Sequence, residues 1–135
     1  MKKQIQQLEA FQKAFKSNYN TTPTFLSEAQ YKLRYELSKE ENEEYLEACQ
    51  NNDMVEILDA IADRIFLAIG DAVSHGLQDK LELALNEVFE SNMSKLDENG
   101  EPIINGLNGY LDTTRPFGKL LKGELYREPN LKQFL

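Results

Sequence analysis

The stretch VEILDAIADRIFLAIGDAV, Val55 to Val73, decides the fold. Its length and apolar content describe a helix meant for burial, yet Glu56, Asp59 and Asp63 interrupt it. At about 100° per residue these three carboxylates fall within roughly 60° of one another. Arg64 and Asp71 lie beside the same arc, so the charges fit within roughly 140°, an acceptable solvent face. On this helix alone, a wetted stripe and a functional site are equally good readings.

The preceding segment, YKLRYELSKEENEEYLEACQ from Tyr31 to Gln50, weighs against the stripe. Its apolar line runs through Leu33 and Leu37, and should continue near positions 41, 44 and 48. Position 48 is alanine, but the other two are Glu41 and Glu44. Glu36, Glu40, Glu43 and Glu47 lie mostly to the side and are more simply solvated. Like charges at i, i+3 cost a few tenths of a kcal/mol when exposed, and more on a partly buried line unless a cation neutralises them. Antiparallel packing across the QNND turn, Gln50 to Asp53, brings Glu41 and Glu44 level with Asp59 and Asp63. Four converging carboxylates form an oxygen cluster suited to a hard cation, Mg²⁺ or Mn²⁺.

The rest of the chain supports an all-α, antiparallel four-helix bundle-like fold with an irregular C-terminal tail. Lys2–Lys16 places Ile5, Leu8, Phe11 or Gln12, and Phe15 at helical spacing. NYNTTPTFLS ends that helix. Ser27 with Gln30 predicts a capping box opening a second helix, which runs to about Gln50. Asp53 caps the third helix, and Gly76 in SHG suits its C′ position. A fourth helix spans Gln78 to about Asn92, with Leu81, Leu85 and Val88 or Phe89 inward. Beyond Asn92 the composition shifts, since this part holds five of the seven glycines and three of the four prolines. Such a segment is an ordered wrap or a flexible terminus; the basic and glycine positions in SNMSK and GKLLKG favour a functional wrap.

With 135 residues the chain is expected to be one domain, its helical core about 1–92 and its tail about 93–135. Hydrophobic residues make up 41% and charged residues 28%, ordinary for a soluble protein. No apolar run is long enough for a membrane span, and MKKQIQQLEAF lacks the apolar region of a secretory signal. A cytoplasmic location is therefore expected. Cys49 is the only cysteine and His75 the only histidine, which excludes an internal disulfide and a cysteine-based zinc site. Cys49 reads as a small buried residue near a helix end, and His75 as a helix C-terminal dipole partner. Phe11, Phe15, Phe25 and Tyr31 are core or interface candidates. A net charge of −8 disfavours a nucleic-acid polymer as partner. Small anionic substrates remain open if a divalent cation mediates.

Glu40-Glu41-Asn42-Glu43-Glu44 resembles the EExxE motif of the MazG-like all-α nucleoside triphosphate pyrophosphohydrolases, a group that includes the phosphoribosyl-ATP pyrophosphohydrolases and the dimeric dUTPases. The family's second motif, ExxD, follows on the next helix. Asp63 in DAIADRIF matches its aspartate, while Ala60 stands in place of its glutamate. Asp59, on one face with Asp63, is the residue expected to take that role, with Glu56 one turn earlier. EVFESNMSK, DENGEPI and GKLLKG look like a phosphoribosyl-ATP pyrophosphohydrolase-like branch, so the resemblance runs from about Leu33 onward.

The resemblance implies Mg²⁺- or Mn²⁺-dependent cleavage of a nucleoside triphosphate between its α- and β-phosphates, giving monophosphate and pyrophosphate, as in nucleotide housecleaning. It implies Glu41, Glu44, Asp59, Asp63 and Glu56 as metal ligands and Glu40 or Glu41 as base. Asn92, Lys95, Lys119 and Lys122 would meet the substrate. A homodimer or homotetramer is implied, with sites at the subunit contact. The alternatives are phosphoribosyl-ATP hydrolysis itself and a non-catalytic helical interaction module.

Overall fold

The computed structural model describes all 135 residues. It contains α1 (Lys2–Ala14), α2 (Glu28–Gln50), α3 (Met54–Ser74) and α4 (Gln78–Met93), and the tail adds only a 3₁₀ turn at Leu131–Phe134. There is no β-strand, and one isolated bridge joins Ile104 to Leu120. The all-α expectation holds. No helix is long and apolar enough to cross a membrane.

The chain divides into two compact units, Met1–Leu81 and Glu82–Leu135. In the first, α2 lies along α3 and α1 packs on α3. The register of α2 against α3 is antiparallel: early Arg34 pairs with late Asp71, and the Arg64 guanidinium lies 4.9 Å from the Tyr45 ring centroid. Local chemistry fixes both helix starts. Ser27 and Gln30 exchange the two hydrogen bonds of a capping box, and the Asp53 side chain accepts from the N–H groups of Val55 and Glu56.

Gly76 ends α3 with φ +70°, and a Cβ there would fall 2.0 Å from the Thr22 carbonyl oxygen. Only glycine fits both the backbone angle and this approach. The Thr22–Thr24 segment is held there, since the Thr24 N–H donates to the His75 carbonyl at 2.8 Å and His75 Nδ1 bonds the Thr24 carbonyl at 2.9 Å. His75 is thus a partner of the Thr24 carbonyl at the end of α3.

The core of this unit is small. Leu8, Ile69 and Val73 form its centre, with Ile5, Tyr19 and Leu81 packed around them. The apolar line of α1 enters the core through Leu8 and Gln12, while Phe11 and Phe15 stay exposed and stack on each other at 4.5 Å. The buried Gln12 amide donates to Gly70 O (2.9 Å) and Ser74 Oγ (3.2 Å). The inward face expected for α4 is only partly covered: Leu81 and Val88 are half-buried, whereas Leu85 and Phe89 are exposed.

In the second unit, side chains bind the backbone where periodic structure does not. Arg127 and the Asn130 N–H both bond to the Glu87 carboxylate, at 2.7 and 2.9 Å. Asn105 is 1% exposed. Its amide nitrogen donates to the carbonyls of Asp112, Arg115 and Pro116, and its oxygen accepts from the Asp112 N–H. Its own backbone bonds Lys119 O and Gly118 N. One side chain therefore closes the base of the 106–118 loop.

Candidate active site

The candidate site lies along the seam between α2 and α3. Glu41 faces this seam, half-buried. One of its carboxylate oxygens, Oε2, is buried without a hydrogen-bond partner. Its pKa is raised above the ordinary 4.5, first by burial and then by the neighbouring charges of Glu44, Asp63, Glu40 and Asp59. Four of the acids named from sequence therefore crowd around a fifth. They come from two helices, so antiparallel packing, and not sequence proximity alone, gathers them.

Glu56 stands elsewhere on the seam. It lines a cleft of about 390 Å³ with Glu44, Glu47, Ala48, Asn51 and Asp53, near the turn joining the helices, and is not among the charges that act on Glu41. Glu44 belongs to both groups. Ala60, in the position where the ExxD motif has glutamate, is 3% exposed. A methyl group suits so buried a position, and Asp59 beside it is exposed. Asp63 is half-buried.

No three of the chain's carboxylate, thiol and imidazole groups stand in an arrangement ready to grip a metal ion. The donor set nonetheless suits a hard divalent cation. It is all oxygen and all anionic, and the orphaned Glu41 Oε2 is the kind of buried acceptor that a cation or an ordered donor satisfies.

Two basic residues bound the cluster without entering it. Arg34 lies seven residues, two turns, before Glu41 on the same stripe. Its guanidinium pairs with Asp71 and donates to Leu67 O at 2.7 Å. A Cβ on Gly70 would come within 2.8 Å of Arg34 Nη2, so a glycine makes room for the arginine. The one signal for Arg34 in the sequence is its spacing of seven from Glu41. Arg64, next to Asp63, turns to the Tyr45 ring.

The remaining substrate-binding candidates belong to the second unit. Lys95 Nζ donates to Asn92 Oδ1 at 2.6 Å, so these two form one polar group. Lys119 leaves the 106–118 loop, its carbonyl taken by the Asn105 N–H. Lys122 precedes Gly123, where a Cβ would meet the Lys95 carbonyl oxygen at 3.2 Å. The Lys122 ammonium lies 4.3 Å from the Tyr126 ring centroid, at a cleft of about 640 Å³ that Asp97, Tyr110 and Glu124 also line.

A search among curated proteins finds no match to the chain. The family model described as phosphoribosyl-ATP pyrophosphohydrolase matches residues 8–92, more than half of the sequence, and so covers the second half of α1, all of α2 and α3 and nearly all of α4. The whole acid seam falls inside this match, and Lys95, Lys119 and Lys122 fall outside it. The chain belongs to the phosphoribosyl-ATP pyrophosphohydrolase family, within the MazG-like all-α pyrophosphohydrolase superfamily.

Proposed function

We propose that the protein is a Mg²⁺-dependent pyrophosphohydrolase that cleaves a nucleoside triphosphate between the α- and β-phosphates. The family supports a nucleotide substrate and this class of hydrolysis. The observation that carries the reading for this chain is the Glu41 carboxylate, with one orphaned buried oxygen and Glu44, Asp59, Asp63 and Glu40 around it. A protein keeps so much like charge along a helix seam at a cost unless something cationic is held there.

Glu41, Glu44, Asp59 and Asp63 would hold the cation, with Glu56 one turn away along α3. A divalent cation bound there supplies neutralisation of phosphate oxygens and a more acidic water. Glu40, or Glu41, accepts the proton of the attacking water. Asn92, Lys95, Lys119 and Lys122, all in the second unit, are the further candidates for contact with a polyphosphate, as donors and positive charge. The water adds at phosphorus, the phosphoanhydride bond breaks, and nucleoside monophosphate and pyrophosphate leave.

A second copy of the chain is the expected partner. Leu46, Met54, Val55, Leu58 and Ile65 on α2 and α3 are more than half exposed in the single chain, apolar side chains that a partner subunit would cover. Light scattering at micromolar protein should therefore give a dimer or tetramer.

Phosphoribosyl-ATP hydrolysis is the second reading, favoured by the description of the matching family. The test is pyrophosphate release from canonical and modified nucleoside triphosphates and from phosphoribosyl-ATP, with Mg²⁺ and with EDTA. Release from nucleoside triphosphates supports the first reading, and release from phosphoribosyl-ATP alone selects the second. No release from any of them, with no metal-induced change in Tm, would leave a helical interaction module.

A further inference from the structure

The chain contains three Asn-Gly pairs, Asn99-Gly100, Asn105-Gly106 and Asn108-Gly109, all in the glycine-rich C-terminal segment. Asparagine before glycine has a specific chemical liability. The backbone nitrogen of the glycine can attack the asparagine Cγ, and the absent Cβ leaves that approach open. Two conditions must be met in a folded chain: a side-chain amide free to turn, and a glycine N–H that is not already donating.

Only one pair meets both. At Asn105 the amide is locked by three donated bonds and one accepted bond. The Gly106 N–H donates to Tyr110 O at 2.6 Å, and the Phe117 ring packs on Gly106 so closely that a Cβ there would meet it at 2.2 Å. At Asn99 the side chain is free, but the Gly100 N–H donates to Asp97 O at 3.0 Å, inside a turn built on the Asp97 carboxylate. At Asn108 the side chain is exposed and makes no hydrogen bond, and the Gly109 N–H has no acceptor. Nothing lies within 4 Å of the position a Gly109 Cβ would take.

We propose that Asn108 is a site of spontaneous covalent modification in the folded protein, by succinimide formation and deamidation. The Gly109 nitrogen bonds to Asn108 Cγ and loses its proton, and the side-chain amide leaves as ammonia. Water then opens the ring at either carbonyl, giving aspartate or isoaspartate. Each product adds one negative charge to the 106–118 loop. Isoaspartate also lengthens the main chain at a residue that sits at φ +52°, where the Tyr110 N–H to Leu107 O turn depends on the local geometry.

The experiment is incubation of the full-length protein at mildly alkaline pH, followed by peptide mapping for the amide-to-acid mass change and for isoaspartate. A parallel sample is held in urea. In the native protein Asn108 should convert about tenfold or more faster than Asn99 and Asn105, whose reaction requires local opening. In urea the three rates should converge, which assigns the difference to the fold. With the sites resolved by fragment-ion sequencing, N108Q should remove the conversion at position 108 and leave that at Asn99 and Asn105 unchanged. Equal native rates at the three sites, or an Asn108 that stays intact while another converts, would overturn the proposal.

Discussion

Two carboxylates, Glu41 in the helical unit and Glu87 in the second unit, are displaced in opposite directions. Glu41 is raised by burial and by four acidic neighbours. Glu87 is lowered by the Asn130 N–H, then by the Arg127 guanidinium. Asp112 behaves like Glu87, lowered by bonds from Thr114 and the charge of Arg115. In the second unit these carboxylates hold irregular backbone in place, and donors are supplied to them. At the α2/α3 seam Glu41 has acidic neighbours instead of donors, and its buried Oε2 has no hydrogen-bond partner. Structural acids are satisfied by their own chain; a binding site leaves its acids for something else to satisfy.

The most severe test of this contrast is to put an acid where the fold needs an amide. Asn105→Asp replaces a donor to three carbonyls by a carboxylate. It should destabilise the second unit by about 3 kcal/mol, visible as early loss of hydrogen-exchange protection in the 106–118 loop. A smaller loss is expected in the helical unit from Ser27→Ala, which removes half of the capping box that starts α2. About 1 kcal/mol of stability should go, read as a lower urea midpoint.

The converse change, Glu41→Gln, should stabilise the protein at neutral pH. It removes a charge set among like charges, worth a few tenths of a kcal/mol per neighbour. Because the folded pKa lies above the unfolded one, the native state binds the extra proton between them. The stability cost of ionised Glu41 is thus absent below the ordinary 4.5 and appears as pH rises through the raised value. Wild type and Glu41→Gln should have equal Tm in acid and diverge on going to neutral pH. Glu87 has the opposite sign: its contribution is present above 4.5 and is lost as pH falls through its lowered value. Glu87→Gln should flatten that acid limb, the smallest of these effects, because the pair is reached by solvent.

The helices were legible because their signals are local. Ser27 with Gln30, Asp53 and Gly76 mark ends that depend on a few neighbouring residues. The acid seam was legible for a related reason: Glu41 and Glu44 occupy positions where the periodicity calls for leucine, and a three-residue turn allows only antiparallel return. Glu56 was less legible. Helical spacing groups it with Asp59 and Asp63, but packing places it with Glu44 at the turn end of the seam. Periodicity does not distinguish Phe11 from Gln12, adjacent positions at a stripe edge, yet the fold buries Gln12 and leaves Phe11 exposed. Asn105 gave no signal, since its role depends on carbonyls seven to eleven residues away in a segment with no period.

The most direct test of the acid seam as a reactive centre is pyrophosphate release by wild type and by Asp63→Asn, each with Mg²⁺ and with EDTA, on the best substrate of the panel. Asn keeps the shape of Asp63 and removes its charge, so circular dichroism and Tm should show an intact fold. Mg²⁺-dependent release by wild type and a loss of about a hundredfold or more in the variant are expected. Release that is unchanged in Asp63→Asn, or that persists fully in EDTA, would contradict a reactive centre there and return the carboxylates of Val55–Val73 to a solvent stripe.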